Sequence, residues 1–148
     1  MRGNELEKAA EAANRRYKVE KKALILKVPT PIVYTNKGMI AKQSTVDFVG
    51  IISGGTFIAF DAKETLSKTS FPLKNIHQHQ LTYLDYVDEL GGIAFFLIHF
   101  KKLYKNQAFE VPVPLVKRYW YEEERASIPI TEFKKEWLVT TTDYLTNK

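Results

Sequence analysis

FIAFDAKE, residues 57–64, begins as an apolar strand and ends in charge. Strand formers lead into Asp61 and Lys63, two positions apart, and an unpaired charge buried in a sheet is costly. In a strand, residues i and i+2 share a face about 7 Å apart, so Asp61 and Lys63 lie on one face with Phe57 and Ala59. Upstream, Ser44 to Ile52 is a second strand-like run, and Ser53-Gly54-Gly55 between the two makes a hairpin the expected connection. In that register Asp47 approaches Asp61 at the open end of the hairpin, away from the glycines.

Further out, Leu6 to Tyr17 is rich in Ala, Glu, Lys and Arg and predicts a first helix. Ala23 to Val28 predicts a strand ended by Pro29-Thr30-Pro31, and Ile32–Tyr34 with Met39–Ala41 predicts a short hairpin around Thr35-Asn36-Lys37-Gly38. Thr65 to Pro72 reads as a polar loop. Ile76, Leu81, Leu84, Val87 and Leu90 recur at helical spacing, so a helix is expected from Lys74 or Asn75 to Leu90, stopped by Gly91-Gly92. Ile93 to Ile98 is nearly all apolar, as in a strand covered on both faces. Beyond Gln107 the pattern weakens to a Val-Pro-Val-Pro connection at 111–114, a short helix near Leu115 to Glu124 and an irregular C-terminal segment. The order is that of a mixed α/β plan, a sheet packed between helices.

The chain has 148 residues, 45% apolar and 26% charged, the size and composition of one globular domain over residues 1–148. The apolar run Ile93 to Phe100 is too short to cross a bilayer, and the first residues lack the apolar core of a signal peptide. No cysteine is present, which excludes disulfides, thiolate metal sites and a cysteine nucleophile; a cytoplasmic setting is expected. The net charge is +5, with positive residues clustered at Arg15–Lys22, at Lys63, Lys68 and Lys74, and at Lys101, Lys102 and Lys105. An electrostatic partner such as nucleic acid suits this balance, as do solvated faces.

Two carboxylates at close range repel, and one is driven protonated unless a cation lies between them. Hard oxygen ligands from one or two carboxylates, with several waters retained, suit Mg²⁺. A neighbouring lysine stabilises charge growing on a phosphate. Asp47, Asp61 and Lys63 therefore point to Mg²⁺-dependent phosphodiester chemistry, against the alternative of a solvated strand face.

The motifs extend the reading. Gln43-Ser44-Thr45-Val46-Asp47, Phe60-Asp61-Ala62-Lys63-Glu64-Thr65, Lys68-Thr69-Ser70-Phe71-Pro72-Leu73 and His77-Gln78-His79-Gln80 resemble, in collinear order, the RecU-type Holliday junction resolvases. Those enzymes belong to the restriction-endonuclease-like PD-(D/E)xK nucleases. The likeness runs from Arg2 to about Phe100. It implies a restriction-endonuclease-like mixed sheet flanked by helices, and a cytoplasmic homodimer, free of membrane, that binds branched DNA and resolves four-way junctions by paired nicks in recombination and repair. It implies Mg²⁺, with Mn²⁺ as a substitute, and water attacking in line to leave a 5′-phosphate and a 3′-hydroxyl. By the same resemblance Asp47 and Asp61 are metal-binding carboxylates, Thr45 and Gln80 complete the metal site, Lys63 stabilises the transition state, and Glu7 is an acidic residue of the first helix facing the site. Arg2, Lys37, Lys42, Lys68, Thr69 and Ser70 are the candidate DNA contacts.

Three departures from the family pattern stand out. Val46-Asp47 replaces Pro-Asp, Asp61 stands where the family usually has Glu, and the stalk that projects into the junction is reduced to a hairpin at about residues 32–42. The last leaves two alternatives: a nuclease of the same fold cutting other branched or duplex DNA, and a non-cleaving DNA-binding accessory of recombination. His77 and His79, read as helical positions two apart, point away from each other and do not suit joint metal ligation. His99 reads as structural, and Tyr119, Trp120 and Tyr121 as half-buried aromatics rather than a base-stacking platform.

Overall fold

The computed structural model describes residues 5–41, 45–146 and 148. In chain order its elements are α1 (Glu5–Val19), β1 (Ala23–Lys27), β2 (Ile32–Thr35), β3 (Gly38–Ala41), β4 (Phe48–Ile52), β5 (Phe57–Thr65), β6 (Ser70–Pro72), α2 (Gln78–Glu89), β7 (Ile93–Phe100), β8 (Gln107–Pro112), α3 (Val113–Tyr121), β9 (Ser127–Pro129) and β10 (Leu138–Thr140). Six strands form one mixed sheet in the order β1-β4-β5-β7-β8-β10, while β2-β3 and β6-β9 form separate two-stranded pairs. Helices cover both faces of the main sheet, as the sequence predicts.

β5 sits inside the sheet because it is apolar on both faces. Ile58, Phe60 and Ala62 join Phe95, Leu97 and Tyr144 in a core beneath α1, whose buried stripe is Leu6, Ala10, Ala13, Asn14 and Tyr17. Ala59 faces the opposite core, built with Leu81, Leu84 and Val87 of α2 and Val113, Val116 and Tyr119 of α3. Phe60 is the hub of the first core: its ring lies 4.9 Å from Phe48, 4.8 Å from Phe95 and 4.9 Å from Tyr144, centroid to centroid.

The hairpin register is the one expected. Phe48 pairs with Phe60 and Ile51 with Phe57, and Gly54 and Gly55 turn the chain at φ of 98° and 94°, values that a residue with a Cβ rarely adopts. β5 then pairs in parallel with β7, Lys63 opposite Ile98 and Glu64 opposite His99. The C-terminal ends of β5 and β7, the start of β4 and the N-terminus of α1 thus meet at one end of the sheet.

Several expectations are corrected. Asp47 lies in the extended segment just before β4 rather than inside a longer strand. The second helix begins only at Gln78: a single 3-10 turn, Leu73–Asn75, precedes it, and Ile76 and His77 are extended. The polar segment 65–72 is not all loop, because β5 continues to Thr65 and β6 pairs with β9. The C-terminal third supplies β8 and β10 to the main sheet, and Tyr144 to the core. Among the described residues, no helix is long and apolar enough to cross a membrane.

The β2-β3 hairpin packs on none of these layers. Its residues are largely exposed, Tyr34 to 82% and Met39 to 65%, and it is four residues long on each side. Phe60→Ala is expected to destabilise the fold by about 3–5 kcal/mol, the range for truncating a fully buried aromatic. Urea unfolding followed by circular dichroism checks this; a loss below 1 kcal/mol would remove Phe60 from its central place.

Candidate active site

Asp47 and Asp61 hold each other through the backbone. The Asp47 N–H donates to Asp61 Oδ1 at 2.9 Å, and the Ala62 N–H donates to Asp47 Oδ2 at 2.9 Å. The Asp47 carbonyl accepts from the Val28 N–H at 2.7 Å, which extends the β1-β4 pairing to this residue. One oxygen of each carboxylate is thereby used. Asp47 Oδ1 has no hydrogen-bond partner among the described residues. Asp61 Oδ2 is fully buried with no donor aligned on it, although Lys63 Nζ lies 2.9 Å away as a charge contact. Asp61 itself is 0% exposed.

Gln80, on the first turn of α2, fixes the second side of Asp61. Its Nε2 donates to Asp61 Oδ1 at 3.2 Å, while its Oε1 accepts the His77 N–H at 3.1 Å. The same amide therefore caps the helix and orients the buried carboxylate. Gln80 is brought to the site, but it meets Asp61 through nitrogen, with its oxygen occupied by His77.

The electrostatics follow from crowding. Burial first, and then the charge of Asp61, push the Asp47 carboxyl up to about 7 from its ordinary 3.8; Glu7 adds to the rise, while the Ala62 N–H and Lys63 oppose it. Glu7 does not join the carboxylate pair. Its Oε1 is bound to Lys27 Nζ at 2.7 Å, on the α1 side of the same sheet end, and it acts on Asp47 at a distance. Among the described residues no cluster of three or more His, Asp or Glu side chains is placed to hold an ion.

The other candidates fall into two groups. Thr45 is exposed two residues before Asp47 and makes no side-chain hydrogen bond among the described residues. Lys68 and Thr69 are exposed on the turn after β5, where Ser67 Oγ accepts the N–H groups of Thr69 and Ser70, each at 3.2 Å. Lys37 is exposed at the turn of the projecting hairpin. Arg2 and Lys42 lie outside the described residues. His77 is the residue capping α2 rather than part of it, and its ring stacks on His79 with centroids 5.6 Å apart, so the expectation that the two rings diverge is corrected. Sequence reasoning missed Glu64, one residue past the motif lysine, whose Oε2 accepts the Leu6 N–H at 3.1 Å and ties α1 to the motif strand. Its alternation with Lys63, on the opposite face, was the available signal.

The chemistry of the donor set suits a hard divalent cation. Each carboxylate keeps one oxygen without an aligned donor, a single ammonium, that of Lys63, lies beside Asp61, and a pair of carboxylates so placed is stabilised by further positive charge.

The family model described as Recombination protein U matches residues 1–146. The chain is 40% identical over 149 aligned residues to the Holliday junction resolvase RecU of Staphylococcus carnosus, covering 90% of this chain and 70% of that one. It is 41% identical over 131 residues to the protein of the same name from Oenococcus oeni, with 80% and 65% covered, and 33% identical over 157 residues to that of Lactococcus lactis, with 97% and 72% covered.

The chain belongs to the RecU family. For a RecU-family chain of this sequence, the raised Asp47 carboxyl has a consequence for stability. The folded protein holds a proton between about pH 4 and 7 that the unfolded chain releases, so without metal its stability falls as pH rises through that window. In EDTA, melting temperatures of the wild type are expected to drop between pH 5 and 8, and Asp47→Asn to flatten that part of the drop. Mg²⁺ added at pH 8 should raise the wild-type midpoint with metal concentration. Identical pH dependence in wild type and Asp47→Asn would contradict the coupling.

Proposed function

We propose that this protein is a Mg²⁺-dependent, structure-specific DNA endonuclease that resolves four-way junctions as a homodimer. The observation that carries the reading is the Asp47–Asp61 pair: its mutual backbone hydrogen bonds leave one oxygen of each carboxylate unbonded, with Lys63 against Asp61, at one end of the sheet. Relatives of the same family are named Holliday junction resolvases.

Each residue then has a physical task. Asp47 and Asp61 hold Mg²⁺, with Mn²⁺ as a substitute, and that ion supplies charge neutralisation and Lewis-acid activation at the scissile phosphate. Lys63, which pairs with Asp61 before DNA arrives, shares its ammonium with the phosphate oxygens as negative charge grows there. Gln80 keeps Asp61 in one orientation, a positioning role, since preorganised groups need no rearrangement during the reaction. Thr45 borders the pair from the solvent side and Glu7 tunes Asp47. Lys68, Thr69 and Ser70, on a turn held by Ser67, contact the backbone of the DNA.

Resolution requires two symmetric nicks, and a two-fold dimer matches the symmetry of the junction. An apolar row supports such a pairing: Leu24, Ile51 and Phe57 are aligned across β1, β4 and β5 on one face, and all three are exposed. A second reading, cleavage of other branched or duplex DNA, is favoured by the short β2-β3 hairpin.

Synthetic four-way junction, flap and linear duplex incubated with Mg²⁺ or EDTA separate these readings. The expected result is paired nicks confined to the junction in Mg²⁺ and none in EDTA. Asp61→Asn and Lys63→Ala should each lower the cutting rate by about 10²-fold or more, the scale for removing one electrostatic stabiliser. Equal cutting of linear duplex would favour the second reading, and undiminished cutting by Asp61→Asn would sink the site.

A further inference from the structure

The active-site end of the sheet has a second polar feature on its other face. A cleft of about 710 Å³ lies between the N-terminus of α1 and the turn joining β7 to β8, lined by Glu5, His99, Lys102, Lys105, Asn106 and Thr141, among others. His99 and Glu64 are register partners, so the cleft begins one residue beyond Lys63 on the adjacent strand.

The turn is built rather than loose. His99, itself 8% exposed, donates from Nε2 to the Tyr104 carbonyl at 2.7 Å, and Leu103 and Tyr104 N–H groups both donate to the Phe100 carbonyl at 3.0 Å. The Thr141 N–H donates to the Asn106 carbonyl at 2.9 Å and anchors the far wall. Lys101 bridges Glu5 and Glu64, at 3.2 Å and 3.7 Å, which offsets part of the negative charge at the edge of the cleft. Lys102 and Lys105 are exposed and have no acidic partner among the described residues. Thr141 is 8% exposed, lines the cleft, and its hydroxyl has no partner among the described residues. The cleft thus presents two uncommitted cations and the unpaired hydroxyl of an otherwise buried threonine, a set that suits a phosphate oxygen.

We propose that this cleft is a second DNA-backbone site. In it Lys102, Lys105 and Thr141 hold a backbone phosphate of the bound DNA, on the α1 side of the sheet. The site rests on the nuclease reading and gives it a direction: the bound duplex arm crosses the ends of β5 and β7 from the Asp47–Asp61 pair toward α1. The Arg15–Lys22 cluster takes no part, because the C-terminus of α1 lies by the β4-β5 turn at the opposite end of the sheet, where the Ser53 N–H bonds the Lys22 carbonyl.

Fluorescence anisotropy with a labelled four-way junction in EDTA tests the proposal, with the full chain, across a salt series. Lys102→Ala/Lys105→Ala is expected to raise the dissociation constant about tenfold or more at 0.1 M salt. The slope of log affinity against log salt should become shallower by about 0.9, the contribution of the one phosphate neutralised there. Thr141→Val should weaken binding without changing the slope, Lys102→Arg/Lys105→Arg should restore it, and Lys18→Ala should match the wild type. Circular dichroism melting confirms that the variants fold. A double alanine variant with the wild-type slope overturns the site. Cutting of the junction by the wild type in Mg²⁺, measured alongside, shows separately whether the nuclease reading stands.

Discussion

The site depends on one reciprocal interaction, in which the carboxylates of Asp47 and Asp61 each accept a backbone N–H beside the other. A buried acid beside a half-buried one is destabilising on electrostatic grounds, and the raised carboxyl of Asp47 expresses first its own burial and then the charge of Asp61. The hydrogen bonds fix the position of the charges without neutralising them. In the resting protein Lys63 supplies the positive charge beside Asp61. A fold that kept these acids apart would be more stable in the absence of a cation between them.

Everything around the pair is arranged to hold it still. Cores on both faces cover the first part of the motif strand, so its charged end cannot slip by a residue without pulling Phe60 out of its stack with Phe48, Phe95 and Tyr144. Gln80 braces the carboxylate from α2 and Glu64 braces the strand from α1. The side chain at position 61 also fits this bracing. Asp61 Oδ1 reaches the Asp47 N–H directly across the strand pair, and a longer acid would carry its carboxylate a methylene farther out. The aspartate that departs from the family pattern is thus matched to its own surroundings.

The central hairpin and the Asp47–Asp61 approach were legible in sequence because alternation and a Gly-Gly turn fix register locally. What sequence did not reveal depends on partners distant in the chain. Nothing local marks Ser70–Pro72 as a strand, since its partner Ser127–Pro129 lies more than fifty residues on. The Val-Pro-Val-Pro segment hides β8 because Pro112 and Pro114 fall at the strand end and in the first turn of α3, where a missing N–H costs little. The helical spacing beginning at Ile76 was misleading because Ile76 is buried from an extended conformation, and the helix waits for the Gln80 cap. His77 and His79 stack for the same reason: one ring precedes the helix and the other lies within it.

Charge density alone points away from the carboxylate pair. The densest basic cluster in the sequence, Arg15 to Lys22, lies at the end of the sheet away from the carboxylates, and Arg16 and Lys22 are committed to Glu20 and Asp143. The sparser group at Lys101–Lys105 lies at the working end because β5 and β7 run parallel and so release their C-termini together. Parallel pairing therefore has a functional consequence beyond packing. It places a basic turn at the same end of the sheet as a motif that is nearly forty residues earlier in the chain.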